Sequence, residues 1–161
     1  MIIHHQSRKI VHFAVTTNPT AEWTIQQFRN ATPYGYVPKY LIHDNDTIFR
    51  AKTFQRFLTT SGIISKRISY RSPWQNAYAE RVIGTIKREL LTLIIPKNQL
   101  HLHKILYEYI NNYYNTDRTH QGLGGNTPIS SPIYLPTSVG KTKLKATPVL
   151  NGLYHSYKKV A

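Results

Sequence analysis

The sequence contains no cysteine among its 161 residues. This absence excludes disulfides, thiolate nucleophiles and cysteine-based zinc sites, and it is compatible with a reducing compartment. Long hydrophobic runs are also missing, since the longest, from Leu90 to Ile95, is interrupted by Thr92 and is far too short to span a bilayer. The first residues lack the apolar stretch of a signal peptide. We therefore expect a cytoplasmic protein with no membrane partner.

Acidic residues are scarce. The chain has 7 aspartates and glutamates against 21 lysines and arginines, which gives a formal net charge of +14. A charge so far from neutral predicts a polyanionic partner, and nucleic acid is the first candidate. Apolar residues make up 40% of the chain and include 12 tyrosines, which is enough for the core of one globular domain.

Short apolar runs alternate with segments of helical periodicity. This alternation predicts an α/β fold. The pattern predicts strands over residues 10–15, 39–42 and 63–68. It predicts two helices that begin at residues 18–20 and at residues 46–47. Two further helices are predicted over residues 76–93 and 98–115. Gly62 is expected to end the second helix.

The last part of the chain has a different composition. Residues 129–161 contain five lysines and no acidic residue, which predicts an extended basic tail. Asn151-Gly152 between apolar residues predicts a β-hairpin near residues 147–158. We expect the tail lysines Lys141, Lys143 and Lys145 to contact phosphates, which would make binding sensitive to salt rather than to base sequence.

Two of the seven acidic residues occupy positions that suit a functional site. Asp44 follows a predicted strand, where open α/β sheets place their ligands, and Glu80 lies about one turn into the longest helix. Each has an ordinary alternative role, Asp44 as a turn carboxylate and Glu80 as a partner of the helix dipole. Glu22 and Asp46 suit helix starts, and Glu108 is expected to be a solvated helix residue.

Together, Asp44 and Glu80 could bind one divalent cation. Mg²⁺ takes one or two carboxylates and fills its other positions with water and phosphate oxygens. Lys87 lies seven residues after Glu80 on the same helix face, roughly 10 Å along the axis, where it could hold a DNA phosphate. Gly84, between them, is expected to leave room for a close approach.

An ordered set of motifs surrounds these residues. Asp44, which Asn45 follows, is separated from Glu80 by 35 residues. Ser72-Pro73-Trp74-Gln75-Asn76 precedes Glu80. Downstream lies Tyr114-Asn115-Thr116-Asp117-Arg118-Thr119-His120-Gln121-Gly122-Leu123, and then Thr127-Pro128. From about residue 2 to residue 128, this order resembles the integrase catalytic core of the Asp-Asp-Glu recombinases, which include retroviral integrases and bacterial insertion-sequence transposases.

The resemblance implies a ribonuclease-H-like mixed sheet with flanking helices over residues 1–128, followed by the tail over residues 129–161. It implies Asp44 and Glu80 as the second and third catalytic acids and metal ligands, with Mg²⁺ or Mn²⁺ as the cofactor. Lys87 would contact the DNA end, and Asn76 would belong to a mobile loop. The reaction would be DNA 3′-end hydrolysis and strand transfer by a bacterial, nucleoid-associated protein, with element ends and target DNA as partners, in a homo-oligomer or together with a full-length transposase.

The family's first aspartate has no counterpart here, because no aspartate precedes Asp44. The resemblance aligns the start of the chain with the family's second strand. We therefore expect an N-terminally truncated core that is inactive alone. The alternative is a non-catalytic DNA-binding protein, or a transposition inhibitor, that acts through its basic surface. A ribosomal or RNA-binding module would explain the charge but not the placement of Asp44 and Glu80.

Overall fold

The computed structural model describes residues 1–69, 72–129 and 143–160. These residues form a mixed α/β structure, as predicted from the alternation in the sequence. The strands are β1 (Ile2–Ile3), β2 (Ile10–His12), β3 (Tyr40–His43), β4 (Ile64–Arg67), β5 (Lys143–Val149) and β6 (Tyr154–Val160). The helices are α1 (Ala21–Ala31), α2 (Thr47–Arg50), α3 (Lys52–Thr60), α4 (Ala77–Ile86) and α5 (Gln99–Tyr109).

The described strands form three separate two-stranded sheets, β1–β2, β3–β4 and β5–β6. The β3–β4 pair is parallel, with Tyr40 opposite Ile64 and His43 opposite Arg67. The β5–β6 pair is an antiparallel hairpin. The chain divides into two compact units, the first comprising residues 1–3 and 11–95 and the second residues 4–10 and 96–161.

The core of the first unit lies between α1, α3 and the start of β4. Its α1 begins at Thr20, whose hydroxyl oxygen accepts a hydrogen bond from the Trp23 backbone N–H at 3.1 Å. Phe28 of α1 packs edge-on against Phe54 of α3, with ring centroids 5.6 Å apart. The buried members of this core are Ala21, Ile25, Phe28, Phe54, Leu58 and Ile63. Leu41 of β3 is partly buried and packs against this core.

The single helix expected from residues 46–47 to Gly62 is two helices, α2 and α3. Asp46 caps α2 by accepting a hydrogen bond from the Ile48 backbone N–H at 2.8 Å. The break lies at Ala51, whose backbone is extended (ψ 137°). The Gln55 side-chain amide donates to the Phe49 carbonyl at 2.6 Å, which satisfies an acceptor that a continuous helix would have used. The strand expected over residues 10–15 ends at His12.

The two long predicted helices are confirmed, and both end in a wider turn. A π-helical turn, Lys87–Leu91, continues α4, and a second, Ile110–Tyr114, continues α5. The carbonyls of Lys87 and Ile110 accept from the N–H groups five residues later, those of Thr92 and Asn115, at 3.0 Å each. No helix within the described residues is long and apolar enough to cross a membrane.

The second unit packs the β5–β6 hairpin against α5 and its π-helical turn. Tyr109, Ile110 and Tyr114 are fully buried, and Val149 and Leu150 at the hairpin turn are buried. The expected hairpin is confirmed but is longer than residues 147–158, since pairing extends from Lys143 to Val160. Lys141 and much of the expected tail lie outside the described residues.

Two acidic side chains form hydrogen bonds to this hairpin, one at its turn and one on β6. Glu108 accepts a hydrogen bond from the Leu150 backbone N–H, so the expectation of a purely solvated helix residue is wrong. Asp117 accepts from the Ser156 hydroxyl at 3.0 Å and from the Tyr157 backbone N–H at 3.3 Å. Carboxylates that accept from backbone N–H groups form charge-assisted hydrogen bonds, which are stronger than neutral ones.

Candidate functional site

Asp44 occupies the turn that follows β3, as the sequence predicts. Its side chain is exposed, and its Oδ1 accepts a hydrogen bond from the Asp46 backbone N–H at 3.1 Å. This local bond is the turn-bracing role that Asp performs after strands. A carboxylate has about four lone-pair directions, so one such bond leaves acceptor capacity for a cation.

His43 lies directly beneath this turn and is buried. Its Nδ1 is 2.7 Å from the Asp44 carbonyl oxygen, and its Nε2 is 2.8 Å from the Ser65 hydroxyl of β4. Because a carbonyl oxygen only accepts, we assign the proton to Nδ1, and Nε2 of the neutral ring then accepts from Ser65. The imidazole thereby connects β3 to β4 and fixes the Asp44 backbone.

Glu80 lies in the first turn of α4 and is exposed. A 3₁₀ turn, Pro73–Asn76, leads into this helix. Asn76 occupies the N-cap position, and its side chain makes no capping hydrogen bond to the described first turn of α4. The Asn76 amide is therefore not used to cap the helix on which Glu80 lies.

The residues that follow β4 contact both the Asp44 turn and the segment leading to Glu80. The Asn45 side-chain amide donates to the Ile68 carbonyl at 3.0 Å. The next residue, Ser69, donates its backbone N–H to Gln75 Oε1 at 2.7 Å, and the Gln75 amide lies 3.4 Å from the Ser69 hydroxyl. The Asp44 turn and the approach to α4 are thus attached to two consecutive residues.

Lys87 lies at the end of α4, at the start of the π-helical turn, and is exposed. The space expected beside Gly84 is occupied in part by Arg88. A Cβ atom added at Gly84 would lie 3.0 Å from a terminal nitrogen of the Arg88 guanidinium. A ligand can approach the Gly84 backbone closely only if this flexible side chain moves aside.

The residue types at this site fit a hard cation, but they are few. Asp44 and Glu80 supply carboxylate oxygens, the ligands that Mg²⁺ and Mn²⁺ prefer. Across residues 1–69, 72–129 and 143–160, no group of three or more His, Asp or Glu side chains is placed to hold a metal ion. A cation at this site would therefore take most of its ligands from water and phosphate oxygens.

Reasoning from the sequence overlooked three residues that position this site, namely His43, Asn45 and Gln75. His43 could have been found, because the period of two along β3 places it on the same inward face as Leu41. Asn45 and Gln75 stand within the motifs quoted above, but nothing in the sequence indicates the role that they have here. Both act through hydrogen bonds to Ile68 and Ser69, contacts that depend on the folded backbone.

Comparisons with known proteins show similarity to integrases and transposases. Residues 61–128 match the family model described as the Integrase core domain. The chain is 30% identical over 130 residues to the putative transposase InsD of insertion element IS2E from Escherichia coli K12, an alignment that covers 75% of this chain and 58% of that protein. It is equally similar to the transposase InsD of insertion element IS2A/D/F/H/I/K from Escherichia coli, of which it covers 42%. The chain thus spans about half the length of these curated relatives.

A solved structure shares the fold. A chain of the simian T-cell lymphotropic virus intasome, determined by cryo-EM in complex with PP2A regulatory subunit B56 gamma, superimposes with a TM-score of 0.53. The superposition covers 89% of the present chain and 54% of the viral-complex chain, at 18% sequence identity. At this identity the likeness extends to the fold alone.

Proposed function

We propose that this chain, which carries an integrase-like transposase core, acts in the integration of mobile DNA. The fold would be ribonuclease-H-like, with the β3–β4 pair as part of the sheet that supports the site. In the whole protein, the reaction would be hydrolysis at a DNA 3′ end, followed by attack of the freed hydroxyl on target DNA. DNA, and a second copy or a full-length transposase, would be the partners.

Asp44 and Glu80 would hold Mg²⁺ or Mn²⁺ in this reaction. When bound, such a cation activates the attacking oxygen and stabilises the charge on the leaving oxygen. Asp44 would face the cation from a turn fixed by His43 and Asn45, and Glu80 from the first turn of α4. Lys87 would hold a phosphate farther along the same helix, and Asn76 would contact DNA beside Glu80.

We propose that the chain does not catalyse strand transfer alone. Only two carboxylates match the family's metal ligands, whereas the family uses three. With fewer fixed negative charges, the cation would be held weakly and would depend on phosphate oxygens of bound DNA to complete its coordination.

One observation carries this proposal, namely that the Asp44 turn and the turn leading into α4 are attached to Ile68 and Ser69 through Asn45 and Gln75. Asn45 connects the Asp44 turn to Ile68, and Gln75 connects the start of α4 to Ser69. Two carboxylates that are remote in the sequence therefore lie on segments anchored at the same strand end. The ends of strands are where open α/β sheets bind their ligands.

Metal binding tests the proposal directly. The full chain, mixed with a short DNA duplex, is titrated with Mn²⁺, and free Mn²⁺ is measured by electron paramagnetic resonance. We expect Asp44→Asn and Glu80→Gln each to weaken Mn²⁺ binding about tenfold or more. Glu22→Gln, which removes an exposed carboxylate from the start of α1, is the matched control and should leave binding unchanged. Equal losses in all three variants, or no Mn²⁺ binding by the parent chain, would refute the metal site.

The second candidate function, DNA binding without catalysis, is favoured by the net charge of +14. It predicts that the affinity for duplex DNA is the same in Mn²⁺ and in EDTA. It also predicts that Asp44→Asn and Glu80→Gln do not lower that affinity. Under the proposed metal role, Mn²⁺ instead increases DNA affinity in the parent chain, and the two substitutions abolish this increase.

A further inference from the structure

The guanidinium of Arg88 lies beside Gly84, on the side of the helix that carries Glu80. A Cβ atom added at Gly84 would lie 3.0 Å from one terminal nitrogen of Arg88 and 3.8 Å from its Cζ. Glu80, Gly84 and Arg88 follow one another at steps of four residues, so they are neighbours along one side of the helix. Helical side chains lean toward the N-terminus, and Arg88 therefore reaches back over the preceding turn. Its positive charge lies about one turn from Glu80 rather than two.

This charge is not used within the described part of the chain. Arg88 is exposed, and no hydrogen bond or ion pair engages its guanidinium among residues 1–69, 72–129 and 143–160. The Arg88 carbonyl accepts a hydrogen bond from the Thr92 hydroxyl, which leaves the head group itself open. A guanidinium carries five N–H donors in a planar fork and no acceptor. These donors are therefore available to an anion.

Glycine at position 84 gives the guanidinium its place. Gly84 lies inside α4, where the backbone is helical and does not require glycine. Glycine is also a poorer helix former than alanine. An alanine Cβ would press against the Arg88 head group, because 3.0 Å is shorter than an ordinary contact. The missing side chain at position 84 thus allows the Arg88 head group to lie against the helix at this point.

We propose that Arg88 binds a DNA phosphate about one helical turn from Glu80, in the space that Gly84 leaves. Arginine pairs with phosphate through two parallel N–H···O bonds, which fix the position of the group as well as bind it. Arg88 would therefore set where a DNA strand lies along α4. The choice of DNA as the ligand rests on the proposed function. The contact between Arg88 and Gly84 does not depend on a metal at Asp44 and Glu80.

Arg88→Met tests the role of the charge. Methionine keeps an unbranched stem and a similar helix propensity, so the covering of Gly84 is retained while the guanidinium is lost. Binding of the full chain to a short fluorescent DNA duplex is measured by anisotropy over a series of NaCl concentrations. We expect the affinity to fall about fivefold or more, and the slope of log K against log [NaCl] to fall by about one.

The matched control is Arg56→Met, which removes the same charge from an exposed arginine of α3. Because Arg56 does not lie on α4, this variant should change the affinity by less than about twofold. Circular dichroism of both variants should match that of the parent chain, since methionine and arginine have similar helix propensities.

Gly84→Ala tests the position of the guanidinium. Alanine stabilises a helix relative to glycine, so this variant should not lose DNA binding through unfolding. We expect the added Cβ to displace the Arg88 head group and to weaken DNA binding about threefold or more. In the Arg88→Met background the same substitution should leave binding unchanged, because the group that it displaces is already absent. A purely structural role of Arg88 would not produce this coupling between the two positions.

Three results would overturn the assignment of Arg88: an affinity of Arg88→Met equal to that of the parent chain, equal losses in Arg88→Met and Arg56→Met, or an effect of Gly84→Ala that is the same with and without Arg88. A parent chain that binds no DNA would refute both this assignment and the proposed function. DNA binding that responds to Mn²⁺ but not to Arg88→Met would refute the assignment alone. A loss in Arg88→Met without any response to Mn²⁺ would support the phosphate contact and refute the metal site.

Discussion

In the second unit, the side-chain amide of Asn115 pairs with the backbone of Ile10 as a neighbouring strand would. Its side-chain oxygen accepts from the Ile10 backbone N–H, and its side-chain amide donates to the Ile10 carbonyl, both at 3.0 Å. The Asn115 side chain is 2% exposed and that of Ile10 is 3% exposed. The amide thus satisfies a donor and an acceptor that would otherwise be buried without partners.

Replacing this side chain should therefore be costly. Asn115→Ala leaves the buried Ile10 N–H and carbonyl unpaired, and each orphaned group costs about 1–3 kcal/mol. We expect the free energy of unfolding, measured by urea denaturation, to fall by about 2–4 kcal/mol. Asn112→Ala, an exposed change three residues earlier, is the control and should cost less than about 1 kcal/mol. Similar losses in both variants would contradict this account.

At the residue scale, the sequence alone does not predict hydrogen bonds between residues so far apart in the chain. The sequence places Asn115 at the end of a predicted helix and within the motif that resembles the integrase core. Its partner, however, is 105 positions away. By contrast, the placement of Asp44 after a strand and of Glu80 in a first helical turn was predictable, because both depend on local patterns.

At the scale of elements, the β5–β6 hairpin places Lys145 directly opposite Lys158, and a single substitution can reverse the charge of one of them. Lys158→Glu places a carboxylate opposite Lys145, which replaces repulsion with attraction. We expect this change to raise the free energy of unfolding by about 0.2–1 kcal/mol while weakening DNA binding. Stability is measured by urea denaturation at low salt.

Lys158→Gln is the control for this prediction. It removes the repulsion without adding an attraction, so its gain in stability should be smaller. A Lys158→Glu variant that is less stable than the parent chain would show that the two side chains do not face each other as the strand register implies.

Periodicity predicted elements well where apolar residues repeat, and less well elsewhere. The starts of α4 and α5 were predictable, but the π-helical turns that follow them were not. One extra residue in a single turn does not visibly change the spacing of the apolar residues. The hairpin turn was predictable from Asn151-Gly152, and Asn151 and Gly152 both adopt positive φ. The outer half of the hairpin was missed, since Lys143 to Ala146 lacks the alternation typical of strands.

At the scale of the whole molecule, the net charge of +14 opposes folding. Like charges over a compact surface repel, and salt screens them. We expect the thermal midpoint to rise when NaCl is increased from about 20 to about 200 mM, as the Debye length falls to less than half its value. Differential scanning calorimetry measures this shift.

A variant with less charge provides the comparison. K52Q/K97Q/K104Q lowers the net charge from +14 to +11 by removing three positive charges. Its thermal midpoint should rise less over the same salt range. An equal or larger rise would mean that salt acts through something other than repulsion between surface cations.

The similarity to integrase cores and to insertion-element transposases was predictable from the ordered motifs, although no single motif was sufficient. The mixed α/β fold was predictable as well. The arrangement of strands into three separate pairs, and the anchoring of Asn45 and Gln75 at Ile68 and Ser69, follow from tertiary packing and were not predictable.

The hydrogen bonds of His43 also bear on which metal the site would choose. The imidazole lies next to Asp44, and such a ring is a common ligand for Zn²⁺ and Cu²⁺. Here one nitrogen donates to the Asp44 carbonyl and the other accepts from the Ser65 hydroxyl, so this ring has no lone pair to offer. Under the proposed metal role, this turn would therefore offer a cation only the oxygens of Asp44, a ligand type that softer transition metals bind poorly.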